Sequence, residues 1–156
     1  MAWTVYGDRY TSTGYNDFEM LQPVVMNKNA IIQYAKAWII AYNDPTFTNM
    51  TMKIFAYNNA VKGKLLYSST TTLTKAQIIT LANGIKEVYF EFDNETLHKD
   101  NTYYFALGGS GAVFTASSHV AWKKAWPDPI YRTGTAMTYN SAGRDPYELY
   151  FIGSEL

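Results

Sequence analysis

The feature that most constrains this chain is a two-residue alternation of apolar and polar side chains, recurring in short runs that end in turn residues. From Met50 to Tyr57, Met50, Met52 and Ile54 fall on one side, and Thr51, Lys53 and Phe55 on the other. From Ile85 to Phe92, Val88, Phe90 and Phe92 oppose Glu87, Tyr89 and Glu91. From Asn101 to Leu107, Tyr103, Phe105 and Leu107 share a side. Successive side chains of a strand point to opposite faces, so the pattern specifies strands with one buried face. A helix needs apolar positions three and four apart, and no such run is sustained.

Asn43-Asp44-Pro45, Asn58-Asn59 and Asn83-Gly84 punctuate these runs with residues that accept left-handed or turn backbone. Asp93-Asn94-Glu95 reads as another turn, and Gly108-Gly109-Ser110-Gly111 as a flexible break. Further strands are expected over Asp17 to Met26, Ala30 to Tyr42, Leu65 to Tyr67, Ala112 to Trp122 and Tyr147 to Ile152. Thr74 to Leu81 suits one or two helical turns with Thr74 as N-cap. Short strands spaced about ten residues apart predict an all-β fold, an antiparallel two-sheet β-sandwich or jelly roll. Its core should contain Met52, Ile54, Val88, Phe90, Phe92, Tyr103, Phe105, Leu107, Leu149 and Phe151, which share parity within their strands.

A chain of 156 residues buries roughly 68–70% of its unfolded surface as one domain, and two halves would each be marginal. Residues 17–156 are therefore read as a single sandwich. Residues 1–16 mix Gly7 and Gly14 with Trp3, Tyr6, Tyr10 and Tyr15. They are read as an N-terminal arm or edge segment that orders on a neighbour.

Composition narrows the function. Thirteen basic and thirteen acidic side chains give zero formal charge, and no basic stripe exists to neutralise phosphates, which argues against nucleic acid as partner. The longest apolar stretch, Ala37 to Ala41, is far short of a membrane span. Without cysteine there is no disulfide, thiolate-bound zinc or thiol nucleophile. The first residues show no basic region followed by an apolar run, so no signal peptide is expected. Fourteen tyrosines exceed what one core needs, and tyrosine suits interfaces and sugar-contacting faces. A neutral chain also repels its own copies weakly.

The succession of Ile31 to Ile40, Met50 to Tyr57, Leu65-Leu66-Tyr67-Ser68-Ser69, Val88 to Phe92, Leu97, Asn101 to Leu107 and Leu149 to Gly153 resembles a family of jelly-roll β-sandwich modules. These occur in phage tail and virion proteins and in bacterial surface proteins, including the group named choice-of-anchor R. Its most specific part here is Phe90-x-Phe92, Leu97 and Tyr103-x-Phe105-x-Leu107, all core positions. The family usually has glycine where this chain has Asp100 or Asn101. The resemblance implies the fold and carries no catalytic residue.

Nothing in the chain assembles into an enzyme site. A serine triad needs nucleophile, base and orienting acid together, yet only His98, in a polar turn, and His119, in a strand-like stretch, could serve as base. Glu87 and Glu91 share a strand face, roughly 13 Å apart at about 3.3 Å per residue, too far for paired-carboxylate hydrolysis. Asp93, Asn94 and Glu95 are hard oxygen donors of the kind calcium takes, but such turns are common without metal, so neither metal nor cofactor is assigned.

The most distinctive segment is Trp122 to Arg132. Within eleven residues it holds two tryptophans, a tyrosine, two prolines and three cations. Pro127 and Pro129 fix the backbone around Asp128. Trp122, Trp126 and Tyr131 offer apolar planes, Asp128 an acceptor and Arg132 a donor fork. Sugar rings, a protein partner, or simple cover for one end of the fold all suit these ingredients. The leading expectation is a non-enzymatic virion structural protein, a phage capsid decoration, tail or fibre component. It would assemble with itself or other virion subunits after synthesis in the host cytoplasm. The alternative is an extracellular or cell-surface carbohydrate-binding module or receptor-binding element that contacts glycans through this aromatic loop.

Overall fold

The computed structural model describes residues 3–4, 17–26, 29–59, 61–78, 85–111, 118–123, 137–138 and 149–155. The all-β expectation holds, since 73% of these residues are strand. The strands are β1 (Trp3–Thr4), β2 (Asp17–Met26), β3 (Ala30–Tyr42), β4 (Asn49–Asn58), β5 (Val61–Ser68) and β6 (Leu73–Thr74). After a single helical turn, α1 (Lys75–Ile78), follow β7 (Ile85–Leu97), β8 (Thr102–Ser110), β9 (His119–Lys123), β10 (Met137–Thr138) and β11 (Leu149–Glu155).

They form two antiparallel sheets. In one, β3 is central, with β7 along one side and β11 then β9 along the other; β1 pairs β9. In the other the order is β10-β2-β8-β4-β5, with β6 also on β4. The pairings β1–β9, β2–β8, β3–β7 and β4–β6 nest inside one another and alternate between the two sheets. The chain thus runs as an antiparallel ribbon folded back on itself.

One hydrophobic cluster draws on both sheets. Met52, Ile54, Val88, Phe90, Phe92, Tyr103, Phe105 and Leu107 are all buried in it, as their alternation requires. The side chains of Leu149 and Phe151, expected there too, lie outside the described residues. Two central inward positions of β3 are small. Ala35 stands opposite Phe90 and Ala37 opposite Val88, so bulky β7 side chains fill the volume that the alanines leave. A register shift at Gln33 moves the buried set of β3 from Ala30 and Ile32 to Ala35, Ala37, Ile39 and Ala41. An extra residue in one strand reverses parity in this way.

The turn residues behave as their chemistry predicts at several points. Asn43 and Asn59 adopt φ of 59° and 50°, and Asp100 takes 68°. That last value explains why glycine suits the 100–101 turn and why aspartate, which tolerates this region, can replace it. At α1, the Thr74 amide donates to Gln77 Oε1 at 2.8 Å, the reciprocal half of a capping box.

Two expectations were wrong. Asp93-Asn94-Glu95 is not a turn between strands but an irregularity inside β7, where Asn94 has φ of 51°. Gly108-Gly109-Ser110 is not a break; it lies in β8, paired with β2 on one side and β4 on the other. Ladder bonds on both edges offset the entropy that glycine loses in a strand. The break comes one residue later, at Gly111 with φ of 70°.

Candidate functional site

Trp122 was expected on the contact surface, and the structure corrects this. It is fully buried, because it pairs with Ile39 of β3 and partners across an antiparallel ladder share a face. Its neighbour in parity, Val120, is buried with it. Trp122 is a core side chain. Trp126, Asp128, Tyr131 and Arg132 lie outside the described residues, as does most of the 1–16 segment, of which Trp3 and Thr4 pair with Lys123 and Trp122.

The described residues bring together two other constellations. The first is the outer face of β3 and β7. Tyr34, Lys36 and Trp38 alternate with the buried Ala35, Ala37 and Ile39, and register against Glu91, Tyr89 and Glu87 respectively. Lys36 holds this face in order. Its ammonium lies 2.9 Å from Glu87 Oε1, 5.1 Å from the Trp38 ring centre and 5.6 Å from that of Tyr89. Both rings are within range for cation–π attraction. The Tyr89 hydroxyl donates to Glu87 Oε1 at 2.7 Å. That bond first, and Lys36 second, hold the Glu87 carboxyl below its ordinary pKa. The same bond pushes the Tyr89 phenol up. Tyr89 nonetheless remains 46% exposed. The result is a patch of aromatic planes and fixed charges of both signs. Beside it, where β3 and β7 slip register, a depression of about 200 Å³ is lined by Gln33, Tyr34, Glu91, Phe92 and Asn94.

The second constellation is concave. A cleft of about 570 Å³ opens between the β4–β5 hairpin and the turn from β7 to β8, with Tyr57, Leu66, Tyr67, His98, Asp100 and Asn101 among its walls. Leu66 projects because the ladder slips there: Ile54 pairs with Tyr67 but Phe55 with Leu65. The Tyr67 hydroxyl donates to the Thr96 carbonyl at 3.1 Å. Burial first, then Glu95 and Tyr103, push its pKa up, so the phenol stays protonated.

Sequence reasoning placed Glu87 and Glu91 on a solvated face, where they are, but missed the aromatics opposite. The parity of Tyr34, Lys36 and Trp38 was the available signal. The cleft had none, since its two walls are some forty residues apart in the chain (Tyr57 to Asp100). Among the described residues no three histidine or acidic side chains cluster to hold a metal ion, and no helix is long and apolar enough to cross a membrane. No family model matches the chain, and no curated protein or solved structure does either.

Proposed function

We propose that this protein is a non-enzymatic virion structural subunit, a phage capsid decoration, tail or fibre component built as a jelly-roll β-sandwich. It joins copies of itself through the outer face of β3 and β7. The nested strand pairings, alternating between two sheets that contribute to one core, support the jelly-roll reading. The observation that carries the assembly reading is the Trp38–Lys36–Tyr89–Glu87 array. Its side chains are already held by mutual contacts, so little rotamer freedom remains to be lost on association. Tryptophan and tyrosine, present here as Trp38 and Tyr89, are enriched among interface hot spots. The patch carries Lys36 together with Glu87 and Glu91, so two copies meeting about a twofold axis can match opposite charges.

Sedimentation over a wide concentration range tests this. The chain should associate, and Tyr89→Ala should weaken association by about 2 kcal/mol, roughly thirtyfold in dissociation constant, with melting temperature little changed. A wild-type chain that stays monomeric at high concentration, or a Tyr89→Ala variant that associates equally well, would overturn it. The alternative, recognition of a glycan, is favoured by a separate observation, the concave cleft.

A further inference from the structure

We infer that the cleft between the β4–β5 hairpin and the β7–β8 turn is a binding site for a neutral pyranose, the terminal sugar of a glycan. This goes beyond the assembly reading and uses a different part of the molecule.

The cleft has the size and the construction of a ligand site. Its volume of about 570 Å³ lies within the roughly 300–1,000 Å³ typical of small-molecule sites. One wall is apolar, formed by the ring of Tyr57 and the side chain of Leu66, which is 37% exposed. The opposite rim carries His98, Asp100 and Asn101. A pyranose has matching halves: a ring face of C–H groups and a rim of hydroxyls that both donate and accept.

The rim is held rigidly. The Asp100 amide donates to the Met26 carbonyl at 2.7 Å, and the Met26 amide to the Asn101 carbonyl at 3.0 Å. The Lys99 amide donates to Asn29 Oδ1 at 2.8 Å, and the His98 amide to the Tyr103 hydroxyl at 2.8 Å. These bonds consume backbone groups and fix the turn, while the Asp100 carboxylate and the His98 ring have no partner among the described residues. The Tyr57 wall is backed by the Tyr104 ring, with centres 5.2 Å apart. A preorganised site loses little entropy when it binds. Asp100 is also the residue at φ of 68°, so a carboxylate occupies the rim where the backbone favours glycine.

The charge of the site selects among sugars. No lysine or arginine is among the described residues lining the cleft, so phosphate, sulfate and carboxylate groups find no cation there and meet Asp100. Neutral hydroxyls suit the site, because a carboxylate accepts strong hydrogen bonds from them.

Saturation-transfer NMR on the full chain, with a panel of neutral methyl pyranosides and with N-acetylneuraminic acid and glucose 6-phosphate as anionic probes, tests the assignment. At least one neutral pyranoside should bind saturably and in preference to both anions. Asp100→Gly removes the carboxylate where glycine fits the backbone, and should lower affinity about tenfold. Leu66→Ser, at an exposed bulge, should weaken binding as well, whereas Tyr89→Ala should leave it unchanged. Absence of saturable binding by every neutral pyranoside, preference for an anionic probe, or full binding by both Asp100→Gly and Leu66→Ser would overturn the inference. Binding that Tyr89→Ala abolishes would overturn it too, by moving the sugar to the β3–β7 face.

Discussion

Tyr89 donates its hydroxyl to the carboxylate of Glu87, two residues earlier on the same face of β7, at 2.7 Å. With Lys36 bound to the same carboxylate oxygen, Glu87 is better stabilised as an anion in the folded chain than in the unfolded one, where its ordinary pKa is 4.5. A carboxyl lowered by folding contributes stability above its unfolded pKa and loses it as pH falls through the folded value. The contribution should therefore be complete at pH 7 and fall away once the pH drops below 4.5 and through the lowered folded value. Because the Glu87 side chain is 40% exposed, solvent screening limits it to at most about 1 kcal/mol. Urea unfolding of wild type and Glu87→Gln should differ by that much at pH 7 and converge as the pH is lowered through the folded value.

Phe90 is fully buried opposite Ala35, and the two should respond in opposite senses to a change in volume. Phe90→Ala opens a cavity that the alanines of β3 cannot fill, at a cost of about 3–5 kcal/mol. Ala35→Leu overfills the same space and should cost about 1–3 kcal/mol. Combining Phe90→Ala with Ala35→Leu should recover part of the loss, as expected for side chains sharing one volume. Urea midpoints of the three variants measure this.

How much was legible before the structure depended on where parity was simple. β4 and β7 each hold a run of apolar and polar alternation and β8 places Tyr103, Phe105 and Leu107 at every second position, so their core-facing residues could be named in advance, whereas nothing marked Phe55, Tyr104 and Ala106 on the other face as a second buried cluster. β3 could not be divided in the same way. Its apolar run from Ile31 to Ile40 crosses the slip at Gln33, so neither parity describes the whole strand, and the Tyr34–Lys36–Trp38 stripe stayed hidden. Trp122 misled because nearby lysines and prolines suggest a surface loop, whereas its pairing with Ile39 decides its burial. The cleft depends on a long-range approach, the β7–β8 turn reaching Met26 through backbone bonds. Backbone bonds leave no side-chain trace in a sequence.

Gly111 and Asn59 both have left-handed backbone, with φ of 70° and 50°, yet substitutions there should differ sharply. A Cβ at Gly111 would collide with Thr48 Oγ1, and Thr48 is held by the hydrogen bond its amide donates to the Ser110 carbonyl at 2.9 Å. Gly111→Ala combines that clash with an unfavourable φ and should destabilise by more than about 1 kcal/mol. Asn59 already tolerates its conformation in an exposed turn, so Asn59→Gly should stay within about 0.5 kcal/mol of wild type. Thermal and urea unfolding of the pair separate backbone strain from simple loss of a turn residue.

Ser69 closes a gap that the ladder leaves open. On one edge of β4, β5 pairs from Lys53 onward and β6 pairs with Asn49 and Met50, which leaves the buried Met52 between them. Ser69 meets both its polar groups: the Ser69 amide donates to the Met52 carbonyl at 2.8 Å, and the Met52 amide donates to Ser69 Oγ at 3.2 Å. The Ser69 hydroxyl in turn donates to the Thr71 carbonyl at 2.7 Å. The same segment reaches the other sheet, where the Thr70 amide donates to the Glu91 carbonyl at 2.7 Å and the Glu91 amide to Thr71 Oγ1 at 3.1 Å. The serine and threonine run is thus a brace between β4 and β7. Ser69→Ala strands the buried Met52 amide and should cost about 1–3 kcal/mol, the penalty for an unsatisfied buried donor. Thr71→Val removes an acceptor at an exposed position, where water can replace it, and should cost less than about 1 kcal/mol. Hydrogen exchange gives the sharper measurement, with the Met52 amide losing protection in Ser69→Ala by more than the global loss of stability explains. Equal protection of Met52 in wild type and Ser69→Ala, or a larger loss from Thr71→Val, would show that the hydroxyl does not complete the edge of β4.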